Sequence, residues 1–195
     1  MKKKSPIMIV HMIMLIAMIL CSAFATVKFI VDASSASDGT EKFYNLTHVA
    51  LMLVILTMLI MGSLYLLNDY SKKAASYYKA FLLLHVVVCV ITIFVDLYFG
   101  ETNTFYVSVS LLYALRIIVL LALLFWKDLG QKRTWILFYA LLVIGFVTLA
   151  VALVHMSRAG FDFSITGYFT ALLADGTLGL AIKGKYDDKT FRGSK

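Results

Sequence analysis

The sequence predicts an all-α membrane protein, a compact bundle of six transmembrane helices with both termini on the cytoplasmic side. Three observations carry that reading. The chain is 62% apolar with only 15% charged residues, and its mean hydropathy is +0.90, far from the balance of a soluble domain. The apolar residues fall into six segments, each near the roughly 20 residues that a helix needs to cross a hydrocarbon core. The lysines and arginines gather on one side of those segments.

Taken in order, the spans are 7–31, 46–67, 78–99, 105–126, 134–156 and 163–182. Lys28 weakens the outer end of the first, whose strongly apolar part stops near Val27. The same segment, with Lys2–Lys4 before it and Ala23-Phe24-Ala25 near its end, also has the outline of a cleavable signal peptide. The link Asp32–Asn45 is rich in Ser, Asp and Gly and is expected to be a flexible connector. The remaining links are short, so consecutive helices are expected to be antiparallel neighbours in a single domain covering 1–195. Residues 183–195 form a basic cytoplasmic tail that is expected to be solvated or to touch lipid.

With the N-terminus inside, 14 of the 18 Lys and Arg residues lie on the cytoplasmic side. Only Lys28, Lys42 and Arg158 lie outside, and Arg116 lies within a span. Such a bias over short loops fixes orientation by the positive-inside rule, and Trp126, Trp135, Tyr98, Phe99 and Phe105 mark the interfaces. The net charge of +7 is therefore topological, favouring anionic lipid rather than nucleic acid. The expected location is the plasma (inner) membrane. Cys21 and Cys89 fall near mid-membrane on different helices and are expected to be free thiols.

Ionisable groups in hydrocarbon are costly and call for a partner or a purpose. Arg116 lies 11 residues from the outer start of the fourth span, and Asp175 lies 12 residues from the outer start of the sixth. At 1.5 Å per residue both sit about 16–18 Å deep. The fourth and sixth helices are expected to be adjacent, with Arg116 paired to Asp175. On the third helix His85, Cys89, Thr92 and Asp96 recur at spacings of 4, 3 and 4 and share one face. Ser110 and Tyr113 on the fourth helix and Ser164 and Tyr168 on the sixth offer matching groups. Arg116, Asp175, His85, Asp96, Tyr113 and Tyr168 are the candidate ligand-binding or coupling residues. The structural alternatives are a staple fixing helix rotation and register for the Arg116–Asp175 pair, interhelical hydrogen bonding for the third-helix stripe, and exposure to water for Asp96.

Small residues mark expected close approaches. Ala17, Cys21 and Ala25 form a ridge on the first helix, and Gly145, Thr148 and Ala152 form one on the fifth. Gly176 and Gly179 flank Asp175, where a helix either loosens around a site or is notched for packing.

His11 and His85 lie at one depth and His48 and His155 at another, an inner and an outer pair. In helix count and in this pairing the chain resembles b-type diheme membrane cytochromes, which would make these four histidines axial ligands of haem b. In size, topology and small-residue ridge it is also similar to the substrate-binding membrane subunits of energy-coupling-factor importers, which implies a partner membrane subunit or an oligomer. No Gly-rich phosphate loop, CxxC or HExxH is present, and no catalytic or metal-binding set is assigned. The expectation is a small-solute binding or transport component. A haem redox protein and a non-catalytic membrane assembly partner are the alternatives.

Overall fold

The computed structural model describes residues 6–67, 72–99, 103–125, 129–160 and 165–187, and these are all helix apart from short connectors. The helices are α1 (Pro6–Ser35), α2 (Gly39–Leu67), α3 (Lys72–Phe99), α4 (Thr104–Phe125), α5 (Gly130–Ala159) and α6 (Ile165–Asp187). Lys2–Lys4, Trp126, Lys127, Phe161, Ser164 and the tail from Asp188 onward lie outside the described residues.

Each helix packs on the next in sequence, α1 meets α6 to close the ring, and α2 also touches α6. Rings pair at matching ends of successive helices. Tyr44 on α2 packs edge-on against Phe99 on α3 at 5.0 Å, and Phe105 on α4 stacks on His155 of α5 at 3.9 Å. Tyr65 on α2 meets Tyr78 on α3 at the opposite end. The chain therefore runs up and down, with the described ends of α1 and α6 at one end of the bundle. That end is called the terminal end below, and the other the far end.

The bundle is inside-out by the standards of a soluble protein. Large apolar side chains such as Phe24, Ile7, Leu111, Ile118, Phe125 and Val143 stand exposed, whereas His85, Arg116, Asp175, Thr148 and Thr177 are buried. Five helices among the described residues, α1 to α5, are long and apolar enough to cross a membrane. This is the pattern of a multi-pass membrane protein, in which lipid replaces water around the apolar exterior. The sixth helix carries Thr166, Thr170, Asp175 and Thr177 among its apolar residues.

Two expectations about the first helix change. The connector expected over Asp32–Asn45 is largely helix. Helix α1 continues to Ser35 and α2 begins at Gly39, because Asp38 caps the new helix, its Oδ2 accepting from the N–H groups of Thr40 (3.0 Å) and Glu41 (3.1 Å). Within α1, Lys28 pairs with Asp32 one turn on at 2.9 Å. The ridge of Ala17, Cys21 and Ala25 does not face the bundle. Ala17 and Cys21 are exposed, and the packed stripe is Leu15, Ser22, Thr26 and Ala33. The ridge on α5 does face inward, with Gly145, Thr148 and Ala152 all buried. That helix ends at Gly160, whose φ of 101° suits glycine and whose N–H bonds Met156 O at 2.9 Å.

Candidate functional site

At mid-length of the bundle a buried cluster is assembled from α3, α4 and α6. Arg116 is pointed inward by α4, on the stripe shared by Val109, Tyr113 and Leu120. Its Nη2 donates to Asp175 Oδ1 at 2.7 Å and its Nη1 donates to Oδ2 at 3.0 Å. The carboxylate is thus gripped by both prongs of the guanidinium, the strongest geometry for such a pair. Both side chains are almost fully buried, at 1% and 0% exposure.

His85 completes the cluster from α3, with Nε2 3.1 Å from Arg116 Nη2. Arginine has hydrogens to donate and nothing to accept with, so Nε2 is the acceptor and the imidazole proton is on Nδ1. That makes His85 neutral. Its Nδ1–H is buried and has no partner, and neither has the buried Nε–H of Arg116. Two N–H donors are therefore unmatched in one apolar interior, a costly arrangement unless something accepts from them.

The third-helix stripe faces this cluster as its spacing predicts. His85 and Cys89 are fully buried, Thr92 and Asp96 partly so. Thr92 donates to Val88 O, while the buried Asp96 Oδ2 and Ser110 Oγ lack partners. Tyr113 lies within electrostatic reach of Arg116, Cys89, Tyr168 and Asp96. Of the candidate residues, Arg116, Asp175 and His85 are joined by direct hydrogen bonds, and Tyr113 and Tyr168 line the space beside them. Asp96 stands farther toward the far end.

The pairing of Arg116 with Asp175 is present, but the expected adjacency of their helices is not. Helices α4 and α6 do not pack along their length; α5 lies between them in the ring. The pair meets where α5 has no side chain. A Cβ on Gly145 would stand 2.9 Å from Arg116 Nη1 and 3.0 Å from Asp175 Oδ2. Beside it is a narrow cleft lined by Tyr113, Arg116, Gly145, Thr148, Tyr168 and Ala171, too tight to hold a water molecule.

Glycines on α6 are notches and not breaks. The helix runs unbroken through both. Gly176 receives the ring of His11, and Gly179 receives Phe138 of α5. His11 Nε2 lies 2.8 Å from Thr177 Oγ1, which ties α1 to α6. Gly62 of α2 leaves room for Phe81 and Thr177 in the same way. These contacts were not foreseen from sequence.

The four histidines do not come together as facing pairs. His11 is on α1 and His85 on α3, and His48 is on α2 and His155 on α5; neither helix pair packs side by side. His11 is bound to Thr177 and His85 to Arg116. His48 lies between the rings of Phe29 and Tyr44, and His155 on that of Phe105. No group of three or more His, Cys, Asp or Glu side chains suited to a metal ion occurs among the described residues.

Compared with known proteins, the chain matches no family model, no curated protein and no solved structure. The resemblances to importer subunits and to diheme cytochromes thus rest on architecture alone.

Proposed function

We propose that the chain is a six-span plasma-membrane protein with both termini in the cytoplasm, and that it binds or carries a small polar solute at the Arg116–Asp175 cluster. The charge bias of the loops supports the orientation. Support for α6 as the sixth span comes from its packing. Its polar residues Thr170, Asp175 and Thr177 are buried against protein, and the charge of Asp175 is matched by Arg116.

One observation carries the solute reading: the paired, unmatched donors Arg116 Nε–H and His85 Nδ1–H, buried beside a cleft lined by tyrosine and threonine hydroxyls. Cys89 is the one further hydrogen-bonding side chain recorded beside Arg116 on α3, and buried donors without partners call for an acceptor, which a polar solute would supply. The tightness of the cleft favours a second reading, a membrane assembly partner in which the pair is a staple. For binding, the helices must part to admit the solute.

Thermal unfolding of the detergent-purified protein against a library of small polar solutes separates the two. Binding predicts that one chemical class raises the midpoint by about 2–4 °C, and that Tyr113→Phe removes the effect. The staple reading prevails if nothing shifts the midpoint while a neutral Arg116→Met/Asp175→Leu double variant supports wild-type growth.

A further inference from the structure

We propose that the solute is a small carboxylate, which enters from the far end between α4, α5 and α6 and takes Asp175's place on Arg116 while Asp175 takes up a proton. The inference rests on the binding reading above and names its substrate class and its coupling.

Direction of entry follows from the lining of the cleft. Tyr113 and Arg116 come from α4, Gly145 and Thr148 from α5, and Tyr168 and Ala171 from α6. Tyr113, Thr148, Tyr168 and Ala171 each stand on the far-end side of the ion pair along their helices. Beyond them on the same side are the partnerless Ser110 Oγ and Asp96 Oδ2. Toward the terminal end the cluster is closed instead by Phe81, Leu82, Leu120 and Leu178, all fully buried.

Ligand class follows from charge and shape. The one cation of the cluster already holds a carboxylate by both prongs. A solute carboxylate has the same two oxygens at the same separation, so it is the chemical group best able to replace Asp175 without altering Arg116. Net charge then decides the coupling. Arg116 with one carboxylate is neutral, and Arg116 with two is an uncompensated anion in a medium where such a charge is very costly. The exchange balances if Asp175 gains one proton from water as the solute anion arrives. No bond other than that O–H is made.

No other group facing Asp175 offers the compensation. Arg116 (α4) is permanently charged, and His85 (α3) has its Nε2 engaged as the acceptor of Arg116, so it takes a second proton only by giving up that bond. Cys89 (α3) and Tyr113 (α4) are neutral hydrogen-bonding groups. His11 (α1) is held by Thr177 on the adjoining turn. Helix α5 contributes Gly145 and Thr148 there, neither of them titratable, and α2 meets α6 through Gly62. Because α4 and α6 are joined by the ion pair and not by packing along their length, exchanging the partner of Arg116 is also what releases the two helices from each other.

The test is binding to the detergent-purified full chain, followed by thermal unfolding with acetate, lactate and benzoate as probes and acetamide as the uncharged isostere. One proton per anion makes apparent affinity rise about tenfold for each unit the pH falls. It also means that carboxylate added to an unbuffered sample consumes one proton per protein, read with a pH dye. Asp175→Asn imitates the protonated acid and is expected to bind carboxylate with no pH dependence. Asp96→Asn is expected to keep the tenfold slope. Stabilisation by acetamide as strong as by acetate, or loss of the pH slope in Asp96→Asn instead, overturns the inference while leaving a binding site. If no probe and no other solute shifts the midpoint, both the inference and the binding reading fall. If Asp175→Asn does not fold, proton uptake by the natural protein decides alone.

Discussion

Arg116 reaches Asp175 at 2.7 and 3.0 Å from a helix that does not pack on the helix bearing Asp175. The link crosses the inner face of α5 at Gly145, and a Cβ there would also lie 2.8 Å from Leu172 Cδ2. Three helices are thus registered by one ion pair and one missing side chain. A backbone notch of this kind is how membrane helices place polar groups in contact away from lipid.

Gly145→Ala is therefore expected to destabilise. The new methyl group meets the guanidinium and Leu172 at distances that neither can keep, an overpacking cost of about 1–3 kcal/mol. Gly167→Ala, on α6 with nothing within 4 Å of its would-be Cβ, is the control and should be neutral or slightly favourable. Thermal unfolding of both variants in detergent checks this. Equal midpoints would mean that the notch does not hold the pair.

Removing one partner of the pair leaves the other as a lone buried charge. Arg116→Met or Asp175→Leu alone is expected to cost about 3–5 kcal/mol, whereas the double variant regains most of that loss. The readout is the yield of monodisperse protein from membranes together with the unfolding midpoint. A double variant no better than either single would contradict the pairing as an energetic unit. Recovery of folding with loss of solute binding in the double variant is what a functional pair predicts.

His11 and Thr177 make a second, smaller tie, at 2.8 Å between α1 and α6. Thr177→Val keeps the side-chain volume and removes the hydroxyl, leaving a ring nitrogen without its partner at a cost of about 1–2 kcal/mol. Adding His11→Leu should cost less than the two single changes summed, because each removes the same bond. An additive double-mutant cycle would show that the contact carries no coupling.

Much of this was legible in the sequence. Helix number and the Arg116–Asp175 pair followed from apolar length and from counting residues to equal depth. The inward face of α3 followed from the spacing of His85, Cys89, Thr92 and Asp96. The packed face of α1 did not, because Ala17, Cys21 and Ala25 gave the more familiar small-residue signal. The stripe that packs is His11, Leu15, Ser22, Thr26 and Ala33, spaced by 4, 7, 4 and 7 and so also helical in period. Its mixed chemistry hid it. Equal depth, likewise, does not imply adjacent helices. Depth fixes one coordinate, and whether an intervening helix has a notch such as Gly145 depends on rotation about its axis, which a nearly uniform apolar span does not encode.

Orientation is open to a direct chemical test, because the natural thiols are silent to a membrane-impermeant maleimide. Cys21 faces outward from mid-helix, where the surroundings are lipid, and Cys89 is buried. Ser37, exposed between α1 and α2, and Lys132, exposed at the start of α5, stand at opposite ends of the bundle. With the termini in the cytoplasm, Ser37→Cys should react in intact cells and Lys132→Cys only after the membrane is opened. The reverse pattern would invert the topology. Lys183, exposed near the end of α6, extends the test to the sixth span. If α6 crosses the membrane, Lys183→Cys must behave like Lys132→Cys. Labelling of Lys183→Cys in intact cells alongside Ser37→Cys would mean that α6 fails to cross, and it would remove Asp175 from the membrane interior along with the solute site built on it.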